Sequence, residues 1–159
     1  MADLFPVAGA KFYLGGVTAT QTDDFAASDF SSETWVEVDG WETMGGYGDV
    51  AELITTQLIN RDRDVKQKGT KNAGSMVNQF AEVPGDTGQA NLITASKATS
   101  NYAMRIVFDD IPSGGSTGTT VYFVGLVMSW NMAGGSANTV RMREATIEIN
   151  SNIVEVAAA

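Results

Sequence analysis

Residues Asn60–Ser75 read NRDRDVKQKGTKNAGS. The segment holds Arg61, Arg63, Lys66, Lys68 and Lys71, half of the ten basic residues in a chain whose formal net charge is −9. Its flanks decide the fold. Upstream, VAELITTQLINRDRDVKQ (Val50–Gln67) begins as a β-rich run, and its apolar residues stop after Asn60 apart from Val65. Downstream, GSMVNQFAEVPGD (Gly74–Asp86) resumes a strand through about Val83. Two such runs around a charged, glycine-bearing centre predict a long hairpin over about 50–83.

Three chemistries compete for the positive charge. A phosphate cradle needs G-x-x-x-x-G-K-[ST] in a parallel βαβ setting, and KGTKNAGS has neither. A nucleic-acid stripe pairs charge with aromatic stacking platforms, yet no aromatic residue stands between Asn60 and Gln79. Asp62 and Asp64 also interleave with Arg61 and Arg63 and partly neutralise them. A solvated hairpin tip and a protein-contact loop remain. Alternating signs suit a partner of complementary pattern.

The rest of the chain reads as β structure. At 159 residues it is most simply one domain, over 1–159, large enough to bury a core without staples. Charged residues make up 18% of it, below the ~25% usual in globular proteins, and Gly numbers 17. Few charges with many Gly, Thr and Val favour strands and turns over helices. No apolar run approaches ~18 residues, so no transmembrane helix is expected. MADLFPVAGAKFYLGG lacks the basic start and long apolar core of a secretory signal. The chain has no Cys and no His, which removes disulfides, thiolate chemistry, and the commonest general base and metal ligand. An enzyme is therefore not expected. The acidic surface would repel DNA phosphates over most of its extent.

AKFYLGG (Ala10–Gly16) reads as a first strand. Thr18–Thr34 is small, polar and acidic and reads as a flexible arm or loop, about 18–34, carrying Asp23, Asp24, Asp29 and Glu33. Phe25 and Phe30 within it imply docking, either onto a neighbouring subunit or over the chain's own core. TWVEVDGWETMGGYGD (Thr34–Asp49) is a strand broken at Asp39-Gly40, a hairpin-type turn signal. Asp86 with Gln89 three residues on forms a capping-box pattern, predicting the chain's one helix over about 87–98. Gly88 weakens that helix by ~1 kcal/mol. Either Ala90, Ile93 and Ala98 or Leu92 and Ala95 would line its buried side.

NYAMRIVFDD (Asn101–Asp110) alternates cleanly. TVYFVGLVMSWNM (Thr120–Met132) is apolar on both parities, as in a strand covered on both faces. TVRMREATIEIN and IVEV close the chain as strands. The fold class is mainly β, sandwich-like or barrel-like, with one flanking helix.

No motif nominates chemistry. The acids near glycines do not match the calcium loop D-x-[DN]-x-[DN]-G. Ser75, Ser96 and Ser129 have no His and no G-x-S-x-G elbow. Glu37 and Asp39 share a strand face, which suits a carboxylate pair, but such acids are more often simply solvated. No catalytic residue, cofactor or metal ligand is nominated.

The order of pieces is more specific than any motif. An acidic arm and WVEVDGWE precede the charged hairpin; EVPGDTGQANLITA, YAMRIVFDD, YFVGLVMSW and a closing strand pair follow. From about Trp35 to Val156 this order resembles the major tail tube protein of long-tailed, non-contractile bacteriophages. The resemblance implies hexameric rings stacked into a hollow tube, with strands of six subunits closing one barrel around a bore that tends to be acidic. It implies a virion protein, present in the host cytoplasm during assembly. Its partners would be itself and other tail proteins, with genomic DNA as transient cargo and no membrane. The hairpin residues Arg61, Asp62, Arg63, Asp64, Lys66, Lys68 and Lys71 would then meet acids on the next ring. The arm residues Asp23, Asp24, Phe25, Asp29, Phe30 and Glu33 are candidates for that docking, and Glu37, Asp39 and Glu52 for the bore wall. Two rival readings stand beside it. One is the tube protein of a contractile injection or type VI secretion-like system. The other is a carbohydrate-binding β-sandwich using the Trp and Tyr side chains as a platform.

Overall fold

A computed structural model describes residues 3–159; Met1 and Ala2, which open the stretch read as lacking a signal, lie outside the described residues. The strands are β1 (Lys11–Val17), β2 (Val36–Val38), β3 (Trp41–Thr43), β4 (Val50–Thr56), β5 (Val65–Asn72) and β6 (Ser75–Ala81), then β7 (Tyr102–Val107), β8 (Thr120–Val127), β9 (Asn131–Met132), β10 (Met142–Ile149) and β11 (Val154–Val156). Helix α1 covers Thr87–Lys97. One antiparallel sheet runs β2-β1-β7-β8-β10-β6-β3, with β9 added to β10 and β11 to β8. Strands β4 and β5 pair only with each other.

The sheet curls because the chain forces it to. Its two end strands, β2 and β3, are joined by Asp39 and Gly40 alone. The three Cα–Cα steps from Val38 to Trp41 span at most ~11 Å, so opposite ends of the strand path must come together. They do: the Phe12 ring on β1 lies 5.5 Å from Trp41 on β3 and 5.9 Å from Phe80 on β6. The result is a half-barrel, the barrel-like form of the expected fold; one sheet closes on itself instead of two sheets packing as a sandwich. Asp39-Gly40 is thus not a hairpin turn, as its composition suggests, because β2 and β3 do not pair. Gly40 has φ +80°, a left-handed conformation that favours glycine.

Phe12, Leu14, Met76, Met104, Phe123 and Ile147 fill the interior with essentially no exposure. On β8, alternation sends Val121 and Phe123 inward and Val124 outward, yet all three are buried. The outer cover is the arm. Its residues Ala27–Phe30 form a 3-10 turn, and Phe25 and Phe30 pack with Ala103, Val124, Trp35 and Tyr122. Phe30 stacks on Tyr122 at 5.1 Å between centroids. Asn152 holds the Phe25 backbone at both ends, accepting from its N–H at 2.7 Å and donating to its carbonyl at 3.0 Å. The two phenylalanines therefore cap their own chain's sheet.

Helix α1 closes the seam where the sheet edges meet. Asp86 is its N-cap, accepting from the Gln89 N–H at 2.9 Å. The same carboxylate accepts the Asp39 N–H at 3.2 Å. The second half of the capping box does not form, because the Asp86 N–H bonds to the Val83 carbonyl. Instead the buried Gln89 amide donates to the carbonyls of Asp39 and Ala81, each at 2.8 Å, and accepts the Val83 N–H at 3.1 Å. One side chain thus ties the end of β2 to the end of β6.

The helix buries Gly88, Leu92 and Ala95, and leaves Ala90 and Ile93 exposed. Of the two sides predicted, the Leu92–Ala95 side is the packed one. Gly88 is required there by contact. A Cβ on it would stand 2.6 Å from the Val38 Cα and closer still to the Glu37 carbonyl oxygen. Gly88→Ala, which helix propensity alone would score as a gain of ~1 kcal/mol, is expected to lower stability by about 2 kcal/mol through overpacking. Urea unfolding of the variant checks the sign.

Candidate assembly surface

The hairpin is one long ribbon in two parts. Its base lies in the main sheet, with Trp41 opposite Phe80 and Thr43 opposite Gln79. Gly45 continues along β6, so close that a Cβ would stand 2.5 Å from the Val77 N and O. The buried Asn78 pins this base, its Oδ1 accepting from the Gly45 N–H at 2.9 Å and the Trp41 indole at 3.3 Å. Beyond it the ribbon leaves the sheet as β4 and β5. The charged segment is therefore only half turn: Asn60–Asp64 belong to the tip, whereas Val65–Asn72 form the ribbon's second arm. Sequence reading misplaces this boundary because Lys, Gln, Gly and Asn are poor strand formers by propensity. Pairing to β4 overrides that preference.

Register reveals what spacing hides. Lys66 faces Thr55, Lys68 faces Leu53 and Lys71 faces Ala51. Lys68 and Lys71 are three apart, so strict alternation would put them on opposite faces. A bulge between the Ala51 and Leu53 pairings absorbs the odd residue. All three lysines then share one face with Ala51, Leu53 and Thr55. The other face carries Val50, Glu52 and Ile54 beside Val65 and Gln67.

Large apolar groups on this ribbon are open to solvent: Leu53 is 64% exposed, Val50 69%, and Ile59 at the tip fully so. A lone two-stranded ribbon is marginally stable in water, and exposed apolar side chains on it call for a partner. Among the described residues, the ion pairs are Lys11–Glu37, Arg141–Glu82 and Arg143–Glu82, and none uses Arg61, Arg63, Lys66, Lys68 or Lys71.

Of the other sequence candidates, Glu52 lies on the ribbon itself, in β4. Glu33 accepts from the Gly16 N–H at 3.0 Å and the Thr18 hydroxyl at 3.1 Å, and Asp29 from the Ala26 N–H at 2.8 Å. Asp23 and Asp24 are exposed. Asp24 lines a cleft with Asp49, Glu52 and Lys71 at the ribbon's base. Glu37 lies on the outer face of β2, 3.9 Å from the Lys11 ammonium. Asp39 sits in the seam and accepts the Gly40 N–H, and Glu52 is exposed on β4. All three tryptophans pack, partly buried, against the apolar clusters. The described residues hold no group of three or more metal-binding side chains, and no helix is long and apolar enough to cross a membrane.

No known protein-family model matches the chain, and no curated protein sequence matches it. Solved structures do. The chain resembles one from the extracellular contractile injection system PVC sheath/tube terminator, with TM-score 0.70, 12% identity, and coverage of 98% of this chain and 99% of that one. A chain of the anti-feeding prophage baseplate gives 0.69 at 11% identity, covering 98% of each. A chain of the SPP1 tail tube gives 0.66 at 11% identity, covering 96% of this chain and 80% of that one. These neighbours are parts of tubes and injection machines, not enzymes. The likeness spans contractile systems as well as the SPP1 tail tube, so it does not single out the non-contractile type.

Proposed function

We propose that this chain is the repeating subunit of a hollow tail tube, a structural role without catalysis. Copies form hexameric rings, the rings stack, and the bore conducts genomic DNA during ejection from a non-contractile phage tail. Other tail proteins bind its ends. It resides in the virion, after assembly in the host cytoplasm. The observation that carries the reading is the ribbon: a protruding, unpaired hairpin with exposed Leu53, Val50 and Ile54 on a half-barrel of the tube-protein fold. Ring closure pairs open strand edges that would otherwise invite aggregation. An acidic bore lets phosphates slide, and at physiological salt the repulsion acts within about 8 Å of the wall. Glu37, Asp39 and Glu52, all exposed, are the acids read from sequence for that wall. The basic residues of the hairpin act in stacking, against acids of the next ring.

A single exposed ion pair contributes only ~0–1 kcal/mol, and six-fold repetition multiplies it. Reversing both Lys66 and Lys68 to Glu is therefore expected to abolish tubes at low salt, as seen by negative-stain microscopy. Normal tubes from that variant would remove the electrostatic role. A second reading, the tube protein of a contractile injection system, is favoured by the near-complete mutual coverage with those chains against 80% of the SPP1 chain. Tubes recovered from the producing cells decide between them: a bare tube supports the first, and a surrounding sheath the second.

A further inference from the structure

We propose that the lysine face of one hairpin packs on the outer face of β6 and β10 in a second copy, an inference that rests on the self-assembly reading and names its contact. On β10, alternation puts Glu144, Thr146 and Glu148 outward, opposite Gln79, Val77 and Ser75 of β6. The arm covers the outer face only around Ala103, Val124 and Tyr122, so this part of the sheet has no cover of its own. Its centre is apolar, with Val77 44% exposed. Its ends are acidic: Glu144 has no ion pair, and Glu148 accepts only from the Ser75 hydroxyl, among the described residues.

The lysine face is its complement in position as well as sign. Lys66, Lys68 and Lys71 stand opposite Thr55, Leu53 and Ala51, at offsets of zero, two and four residues along β4. Glu144, Thr146 and Glu148 occupy the same offsets along β10. At ~3.4 Å per residue the outer members of both sets are roughly 14 Å apart. Two outer lysines thus meet two glutamates, while Leu53 at the centre of one face meets Val77 at the centre of the other. Both patterns are symmetric about their centres, so the match holds for either strand direction. The bulge makes the match; without it Lys71 would point away.

The occupant is a second copy and not the same chain. Strand β5 runs on into β6 through Ala73 and Gly74, so the ribbon extends its own β6 and cannot fold back over it. The arm acids are poorer partners, since Glu33 and Asp29 already accept backbone hydrogen bonds within the arm and β1.

Single-cysteine pairing tests the contact directly, because the native chain has no cysteine. Leu53→Cys and Val77→Cys proteins are mixed under assembly conditions and oxidised with copper–phenanthroline. Covalent dimers are expected from this mixture, and at least tenfold fewer from Ile54→Cys with Val77→Cys, since Ile54 lies on the opposite face. Charge exchange gives a second readout. Glu144→Lys/Glu148→Lys and Lys66→Glu/Lys71→Glu should each cut the assembled fraction at least tenfold in sedimentation velocity, and the quadruple variant should recover it. Equal cross-linking from Ile54, or no recovery by the quadruple variant, overturns the contact while leaving wild-type assembly intact. A wild-type chain that never assembles overturns the tube reading as well.

Discussion

Gln89→Ala should be the most damaging single substitution in the seam. It removes the donor to two carbonyls, Asp39 and Ala81, and the acceptor for the Val83 N–H. Each buried group left unpaired costs ~1–3 kcal/mol, so the total loss is expected near 4 kcal/mol. That is a large part of the ~5–15 kcal/mol that holds a domain folded. The effect should appear as a lower urea midpoint. The Asp39-Gly40 link would still join the strand path's ends, and the bonds of the Ala81 N–H to the Gly40 carbonyl and of the Asp39 N–H to the Asp86 carboxylate would remain. A change below about 1 kcal/mol would show that the helix, not its glutamine, keeps the half-barrel closed. Ala90→Gly, on the exposed side of the same helix, is the control; it should cost only the ~1 kcal/mol of propensity.

The second large effect is expected at Phe30. Its ring is 2% exposed and touches Phe25, Trp35 and Tyr122. Phe30→Ala should cost about 3–5 kcal/mol, the usual loss for a large buried aromatic. It should also raise the rate of proteolysis within residues 18–34, where the Asn152–Phe25 and Glu33–Gly16 bonds remain as anchors. The result separates two roles for the arm. If its aromatics served only a neighbouring subunit, the isolated variant would be as stable as wild type and only assembly would suffer. The packing of Phe30 against the chain's own Tyr122 and Val124 predicts a loss in the isolated subunit.

Why some of this could be read beforehand and some could not has a physical basis. Strands such as β7 and β10 announce themselves, because one face is buried and alternation writes that burial into the residues. The double-sided apolar character of β8 correctly implies cover on both faces, and Phe25 and Phe30 supply the outer one. The Asp86 cap is local and so is visible. Gly88 and Gln89 are misread for one reason: both look like features of an isolated helix, and both are decided by a sheet edge some fifty residues upstream in the chain. Asp39-Gly40 has hairpin chemistry, but its role in bridging the ends of a curled sheet is a property of topology. The lysine face is hidden by a bulge, since no spacing rule says where an extra residue will be absorbed. Glu144 and Glu148 carry no signal in the sequence, because alternation marks them as outward without saying what lies outside.

Cryo-electron microscopy of the purified protein, concentrated at low salt, shows whether copies of this chain build tubes as proposed. The expected images show rings with six-fold symmetry stacked coaxially around an open bore wide enough for duplex DNA, with each ribbon crossing to another copy. A monodisperse monomer at every concentration and salt, its ribbon free in solvent, would overturn the tube reading.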